Sequence, residues 1–114
     1  LATSVGAPTD TLESAKDFIA AYDAAGFAEP YEAYGAYAFD AANAIIQALK
    51  VSLASADSAE AARQPTVDAM SSVSFEGVTG TVAFDEFGDT TSRVLTVYGV
   101  KGGAWEAVNT EEFK

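Results

Sequence analysis

Hydrophobic and polar residues alternate with a period of two in the last third of the chain, which predicts consecutive β-strands. Apolar residues alternate with polar or small ones over residues 78–84, and the same alternation recurs over residues 94–100. Acidic residues and glycines interrupt the runs at 85–89 and 101–103, where glycine supplies turn geometry. We therefore expect antiparallel strands over residues 77–108.

Upstream, the apolar residues change to helical spacing. Residues 1–8 have the composition of a strand end and a turn, and residues 9–26 predict a helix. Asp10 and Glu13 resemble a capping box at its start, and Gly26 is suited to end it. We expect Phe18 and Tyr22, on the apolar face, to be packing residues.

Residues 31–54 are rich in alanine and largely apolar, so a membrane span has to be weighed against an amphipathic helix. The polar residues fall on one helix face: Asp40, Asn43, Gln47 and Lys50. An aspartate and a lysine in mid-span would be costly in lipid. We predict a helix of a soluble protein that buries Phe39, Ile46 and Leu49 and turns its polar face to water or to a polar neighbour.

A third helical segment covers residues 57–72 and contains a proline. Asp57 and Glu60 form a second possible capping box, whereas Pro65 suits the first turn of a helix better than its interior. Two alternatives stay open: a helix kinked at Pro65, or two shorter helices of which the second starts there.

Composition excludes several functions. The chain has 17 acidic and 6 basic residues and a net charge of −11, so it would repel nucleic acid and anionic lipid. The acidic balance is typical of a soluble protein surface, with a role in binding a cationic ligand as the alternative. Without cysteine or histidine, disulfides, thiolate chemistry, histidine-based catalysis and the usual zinc sites are excluded.

No residue pattern points to an enzyme, a cofactor or a metal. There is no G-x-S-x-G nucleophile motif and no pair of carboxylates that stands out from surface acids. The acidic stretch 85–89 has the residue types of a calcium loop, but Phe87 stands where an EF-hand needs an oxygen ligand. We expect a solvated hairpin turn there, and neither catalysis nor a bound cofactor.

Several motifs in a fixed order carry a family resemblance. F-x-G-V-T-G-x-V-x-F-D-x-x-G-D starts at Phe75, and V-Y-x-V-K-G-G-x-W ends at Trp105. An F-x-x-x-Y helix, a Glu-Pro loop and a Phe-Asp-Ala triplet at residues 39–41 precede them. Together these motifs resemble the substrate-binding proteins of branched-chain amino-acid ABC transporters, the Leu/Ile/Val-binding-protein family.

The resemblance implies an α/β chain, the C-terminal segment of a bilobed type I periplasmic-binding fold, with about three helices followed by an antiparallel β-hairpin. It implies an extracytoplasmic protein that holds a small amino acid between two lobes and passes it to an ABC permease. Contact with the membrane would come only through an upstream anchor, and any signal peptide would also lie upstream. The last crossing between lobes is expected near residues 97–100.

Tyrosines before the second long helix are where the resemblance places ligand contacts. This cluster consists of Tyr31, Tyr34 and Tyr37, and Ala36 falls where at least some relatives carry an aromatic residue. The resemblance implies that Tyr31, Tyr34 and Ala36 lie by the ligand cleft, with Tyr34 and Ala36 closest to the ligand. Closing of the core is the competing role for the tyrosines. A self-contained cell-surface interaction or ligand-sensing module without a transport role is the alternative function.

Overall fold

The computed structural model describes residues 1–113, which form three helices and five strands. The helices are α1 (Lys16–Ala25), α2 (Gly35–Ser52) and α3 (Ala59–Met70). The strands are β1 (Ala2–Val5), β2 (Ser74–Gly77), β3 (Gly80–Ala83), β4 (Val94–Lys101) and β5 (Ala104–Glu112). The α/β class, with three helices followed by antiparallel strands, is confirmed.

The strands form two separate antiparallel sheets. One has the order β1-β4-β5, so the first strand of the chain pairs with a strand about ninety residues later, with Ser4 opposite Thr96. The other is the β2–β3 hairpin. Strand β5 carries one extra residue, Val108, between the partners of Val97 and Tyr98 on β4. Such a bulge bends a strand and increases its local twist.

Helix α1 is shorter than the sequence predicts. The predicted helix over 9–26 begins with two 3-10 turns, Thr9–Thr11 and Glu13–Ala15, and becomes α-helical only at Lys16. The capping box of Asp10 and Glu13 is wrong, because neither side chain caps the helix and the Glu13 carboxylate instead pairs with Lys16 at 2.7 Å. The predicted stop is confirmed, since Gly26 takes the left-handed conformation there with φ of 65°.

Helix α2 buries a different face from the predicted one. Phe39 and Ile46 are each 48% exposed and Leu49 is half-buried, so their prediction as core residues is wrong. The buried face runs at four-residue spacing through small or polar side chains: Ala36, Asp40, Ala44, Ala48 and Ser52. Small side chains let a helix approach its neighbours closely, which explains why this stripe faces inward. No helix within residues 1–113 is long and apolar enough to cross a membrane.

The third helix and the strand after it also depart from the predicted bounds. Helix α3 is one helix that contains Pro65, and Ser58 caps it by accepting a hydrogen bond from the Ala61 amide at 3.1 Å. The two-helix alternative is therefore wrong, as is the capping box at Asp57. The alternating run 78–84 is divided, because Val78 and Thr79 form the turn between β2 and β3.

Little large apolar surface is buried. The fully buried apolar residues among those described are five alanines and Val73, and a cluster of Ala44, Ala48 and Val73 sits between α2, α3 and the β2–β3 hairpin. The radius of gyration is 16.7 Å, against about 13 Å expected for a compact domain of this length. The described residues therefore expose much of their apolar surface.

Candidate functional site

The three residues that the resemblance singles out lie in different surroundings. Tyr31 is half-buried in the segment before α2, and its Cβ lies close above Gly35. Tyr34 precedes the first residue of α2 and is 61% exposed. Ala36 is fully buried on the inner face of α2. Of the three, Tyr31 lines a cavity, and the roles of all three residues in ligand binding stay predictions.

That cavity, of about 180 Å³, lies where β1, the start of the first 3-10 turn and the segment before α2 meet. Tyr31 and Glu32 form part of its wall from one side, and Ser4 and Tyr98 from the β1–β4 strand pair. Ala2 is the β-sheet partner of Tyr98, so the cavity sits beside the first strand and the predicted interlobe crossing. We call it the strand-edge cavity.

Two acidic residues and a tyrosine ring contribute to the walls of the strand-edge cavity. Glu32 has a positive φ of 50°, an uncommon conformation for a residue other than glycine. Asp10 belongs to the 3-10 turn that follows β1. The Tyr31 ring makes edge contacts with Phe18 and Tyr22 at centroid distances of 5.7 Å and 5.6 Å. These contacts fix one aromatic wall of the cavity, so Tyr31 has a packing role whatever else it contacts.

A buried polar group fixes the chain where β1 ends beside the cavity. Gly6 has φ of 75°, and its amide donates to the Val94 carbonyl at 2.7 Å. The hydroxyl of the buried Thr96 donates to the Gly6 carbonyl at 2.7 Å. The Tyr37 hydroxyl donates to the Ala7 carbonyl at 3.1 Å and occupies the space that a Cβ on Gly6 would need. Glycine is therefore required at this position both by conformation and by space.

Tyr37 is the titratable group with a shifted pKa in this region. Burial raises the pKa of its phenol above the ordinary value, and the nearby Tyr98 and Asp40 raise it further. The phenol therefore stays protonated, as its role as a donor to Ala7 requires.

Asp40, one turn after Tyr37 on α2, forms hydrogen bonds to the β2–β3 hairpin. Its carboxylate is 3% exposed and accepts hydrogen bonds from the Val78 amide at 2.9 Å and from the Thr79 amide and hydroxyl at 2.7 Å each. The polar neighbour expected for Asp40 is thus the β2–β3 turn. Tyr37 and Asp40 are three residues apart on one helix, so α2 fastens the end of β1 and the β2–β3 hairpin to the same face.

A second, mostly apolar cavity of about 440 Å³ lies under these two side chains, between the sheets. Val5, Val82 and Leu95 contribute to its walls. Because Tyr37 and Asp40 span this gap, they connect the two sheets across a space that the described residues leave unfilled.

Sequence reasoning missed Tyr98, Tyr37 and Thr96. The alternation in β4 places Thr96 and Tyr98 on the same face of the strand, but nothing in the sequence shows which face β1 and the segment before α2 would meet. Tyr37 belongs to the tyrosine cluster at the start of α2, but the family resemblance favoured other members of that cluster as ligand contacts. Gly6, in the segment taken as a turn, was the available signal for a constrained backbone.

The acidic stretch 85–89 is organised by its own backbone. One oxygen of Asp85 accepts hydrogen bonds from the Phe87 and Asp89 amides, both at 2.9 Å. That geometry is an Asx-type turn, in which the carboxylate is engaged by the chain itself. Within residues 1–113, no group of three or more histidine, cysteine, aspartate or glutamate side chains is arranged to hold a metal ion.

Comparison with known families agrees with the fold and with a binding role. Residues 11–103, most of the chain, match the model of the family described as the receptor family ligand binding region. This family has the type I periplasmic-binding-protein fold and is a ligand-binding, non-enzymatic family. No curated protein matches the chain. The chain therefore belongs to the receptor family ligand binding region and is a segment with the type I periplasmic-binding-protein fold.

Proposed function

We propose that this chain is part of an extracytoplasmic solute-binding protein that captures an amino acid, branched-chain or similar, for an ABC importer. The observation that carries the proposal is the position of Tyr31. The family resemblance implies that the segment holding this residue lies by the ligand cleft, and Tyr31 lines the strand-edge cavity in a chain that belongs to a ligand-binding family.

The mechanism follows from the two strands beside the cavity. If β1 and β4 are two of the connections between lobes, rotation of one lobe would bend them next to the cavity, so that a ligand held there is enclosed when the lobes close. Thr96 and Tyr37 hold two consecutive carbonyls, those of Gly6 and Ala7, which limits where the bend occurs. Closure creates the form that the permease recognises.

The chain supplies one wall of the site and requires other protein for the rest. The strand-edge cavity is smaller than the roughly 300–1,000 Å³ of typical ligand sites at about 180 Å³. The described residues also bury few large apolar side chains. Both observations favour a larger functional unit, in which groups outside this chain pair with the ligand carboxylate and α-ammonium.

A ligand-sensing role without transport is the second candidate, favoured by the description of the matching family as a receptor family. The two functions share the binding event and differ in the partner of the closed form. Stimulated uptake of the ligand by membranes that contain the permease supports import, whereas binding without any such stimulation supports sensing.

A thermal-shift screen of the complete gene product against a panel of amino acids tests the proposal. Binding to the folded state raises the melting temperature by mass action, so a true ligand gives a shift that grows with its concentration. Tyr31→Ala should abolish the shift. The control is Tyr22→Phe, which keeps the neighbouring ring and removes a hydroxyl that donates to the Glu29 carbonyl at 3.0 Å and belongs to no lining residue of the cavity. A panel in which no amino acid gives a concentration-dependent shift would refute the proposal.

A further inference from the structure

We propose that the apolar cavity between the two sheets binds a medium-chain fatty acid, with the alkyl chain inside the cavity and the carboxylate at Arg93. We call this space the inter-sheet cavity. It shares one lining residue, Val5, with the strand-edge cavity, so the inference concerns a separate site and goes beyond the proposed function. Its volume of about 440 Å³ lies within the roughly 300–1,000 Å³ of typical ligand sites.

The walls of the inter-sheet cavity are mostly apolar and come from both sheets. The β1–β4 strand pair contributes Val5, Val94 and Leu95, and the other side contributes Val82 of β3 and Phe84 just after it. An alkyl chain among these side chains removes apolar surface of both partners from water. Each buried methylene is expected to raise the affinity about fourfold.

Most polar side chains along these walls already have partners in the protein. The Tyr37 hydroxyl donates to the Ala7 carbonyl, and the Asp40 carboxylate accepts three hydrogen bonds from the β2–β3 turn. The Thr81 hydroxyl donates to Glu76 at 2.8 Å. Asp40 is the only acid among the described lining residues, so the cavity offers no free carboxylate to an ammonium. A ligand held here is therefore apolar along most of its length and carries no ammonium.

Hydrogen-bond donors without an acceptor lie together at one end of the cavity, in the segment that leads into β4. Thr90, Ser92 and Arg93 all line the cavity. The Arg93 guanidinium forms neither an ion pair nor a hydrogen bond within residues 1–113. The Thr90 hydroxyl accepts from the Ser92 amide at 3.2 Å and keeps its own proton to donate.

This end of the cavity suits a carboxylate. The planar guanidinium of Arg93 presents paired donors whose geometry matches the two oxygens of a carboxylate. The Ser92 and Thr90 hydroxyls are further donors at the same end. The chain has a net charge of −11, but charges farther away than about 8 Å are largely screened at physiological salt. A single carboxylate therefore interacts mainly with Arg93, and its alkyl chain extends between the sheets.

Calorimetric titration of the complete gene product with octanoate tests the inference. Octanamide has the same chain without the charge, and we expect octanoate to bind at least about tenfold more tightly, since a charged hydrogen bond accounts for a factor of that order. Hexanoate, which is two methylenes shorter, should bind about tenfold more weakly than octanoate. An excess of leucine should leave the octanoate affinity unchanged, because the two sites are separate.

Two variants with matched controls separate the cavity from general apolar and charge effects. Arg93→Gln should weaken octanoate binding by about tenfold and leave octanamide binding unchanged, whereas Arg63→Gln, at an exposed arginine of α3, should change neither. Ala41→Phe places a ring at the cavity and should abolish binding of both compounds, whereas Ala42→Phe, at a neighbouring residue that does not line the cavity, should not. The melting temperature of each variant without ligand reports whether it is folded. Arg93→Gln alone suffices for the comparison, because the Arg93 side chain is exposed.

The outcomes distinguish this inference from the proposed function. Octanamide binding as tightly as octanoate, or unchanged octanoate affinity in either folded cavity variant, would overturn the inference. Displacement of octanoate by leucine would show one shared site and would also overturn it. Absence of saturable heat with octanoate would overturn it as well and would leave the proposed function standing, because that function depends on the strand-edge cavity.

Discussion

One carboxylate oxygen of Asp40 accepts hydrogen bonds of 2.7 Å from both the amide and the hydroxyl of Thr79. Asp40 lies on α2, and Thr79 lies in the β2–β3 turn about forty residues later. The second oxygen accepts from the Val78 amide at 2.9 Å. The buried Asp40 side chain therefore accepts from two backbone amides of the turn, which lie outside the pairing of β2 with β3. It also fixes the position of the β2–β3 hairpin relative to α2.

Replacing Asp40 by asparagine should destabilise the protein by about 1.5–3 kcal/mol, because an amide offers one acceptor where three donors converge, and its NH₂ faces a donor. Urea unfolding measures the change. Asp23→Asn on α1, an exposed acid, should stay within about 0.5 kcal/mol. Equal midpoints for the two variants would show that the carboxylate does not hold the turn.

Gly77→Ala should also destabilise the folded protein, because there is no space for the added methyl group and not because the backbone conformation requires glycine. A Cβ at this position would lie 2.5 Å from Asp40 Oδ2 and 2.7 Å from Cγ. Since the substitution displaces the same carboxylate that Asp40→Asn weakens, the two costs should not add, and the double variant should lose less than the sum. Additive costs in a double-mutant cycle would contradict this coupling.

Stability at high pH should depend on Tyr37. The pKa of its phenol is raised in the folded protein, first by burial, and the unfolded value is about 10. Its favourable contribution is thus complete below about pH 10 and is lost as the pH rises through the higher folded pKa. Relative to Tyr37→Phe, the stability advantage of the native protein should be constant below about pH 10 and shrink above it.

Unfolding of both proteins across the alkaline range checks this expectation. Tyr34→Phe, on the exposed neighbour, is the control and should follow the native protein at every pH. A stability difference between the native protein and Tyr37→Phe that does not change above pH 10 would show that the phenol titrates normally.

The small residues on the inner face of α2 should tolerate no enlargement. Ala48→Leu should cost about 1–3 kcal/mol, because Ala48 is fully buried in a cluster with Ala44 and Val73 and extra methylenes there would force its neighbours apart. Ala42→Leu, the same change on the exposed side of α2, should stay within about 0.5 kcal/mol. The guanidinium unfolding midpoints of the two variants measure the difference. A larger loss of stability in Ala42→Leu than in Ala48→Leu would show that the packed face of α2 is not the one described.

Features of the chain that depend on neighbouring residues could be predicted from the sequence. Gly26 ends α1 because a left-handed residue is needed there, and the glycines at 102 and 103 turn the β4–β5 hairpin with φ of 60° and 88°. The period-2 pattern of β4 follows from the side chains alone. The start of α1 was less predictable, since Asp10 and Glu13 suit 3-10 turns and a helical cap equally well.

Features that depend on which surfaces meet could not be predicted. Helical spacing put Phe39 and Ile46 on a core face because large apolar side chains are usually buried, but close packing of α2 against α3 and the hairpin selects the alanine stripe instead. For Asp40, the sequence allowed either water or a polar neighbour, and only the fold shows that this neighbour is a turn distant in sequence. Among the residues that line the strand-edge cavity, Tyr31 was expected from the family resemblance. Tyr98 lies at the cavity only because β4 pairs with β1.

Calorimetric titration of the complete gene product with the amino acids that raise its melting temperature tests the central claim most directly. The account predicts saturable heat at one ligand per protein, and its loss in the double variant Tyr31→Ala, Tyr98→Ala at a temperature where circular dichroism shows that variant to be folded. Titrations without saturable heat for any amino acid, or full binding by the folded double variant, would contradict it.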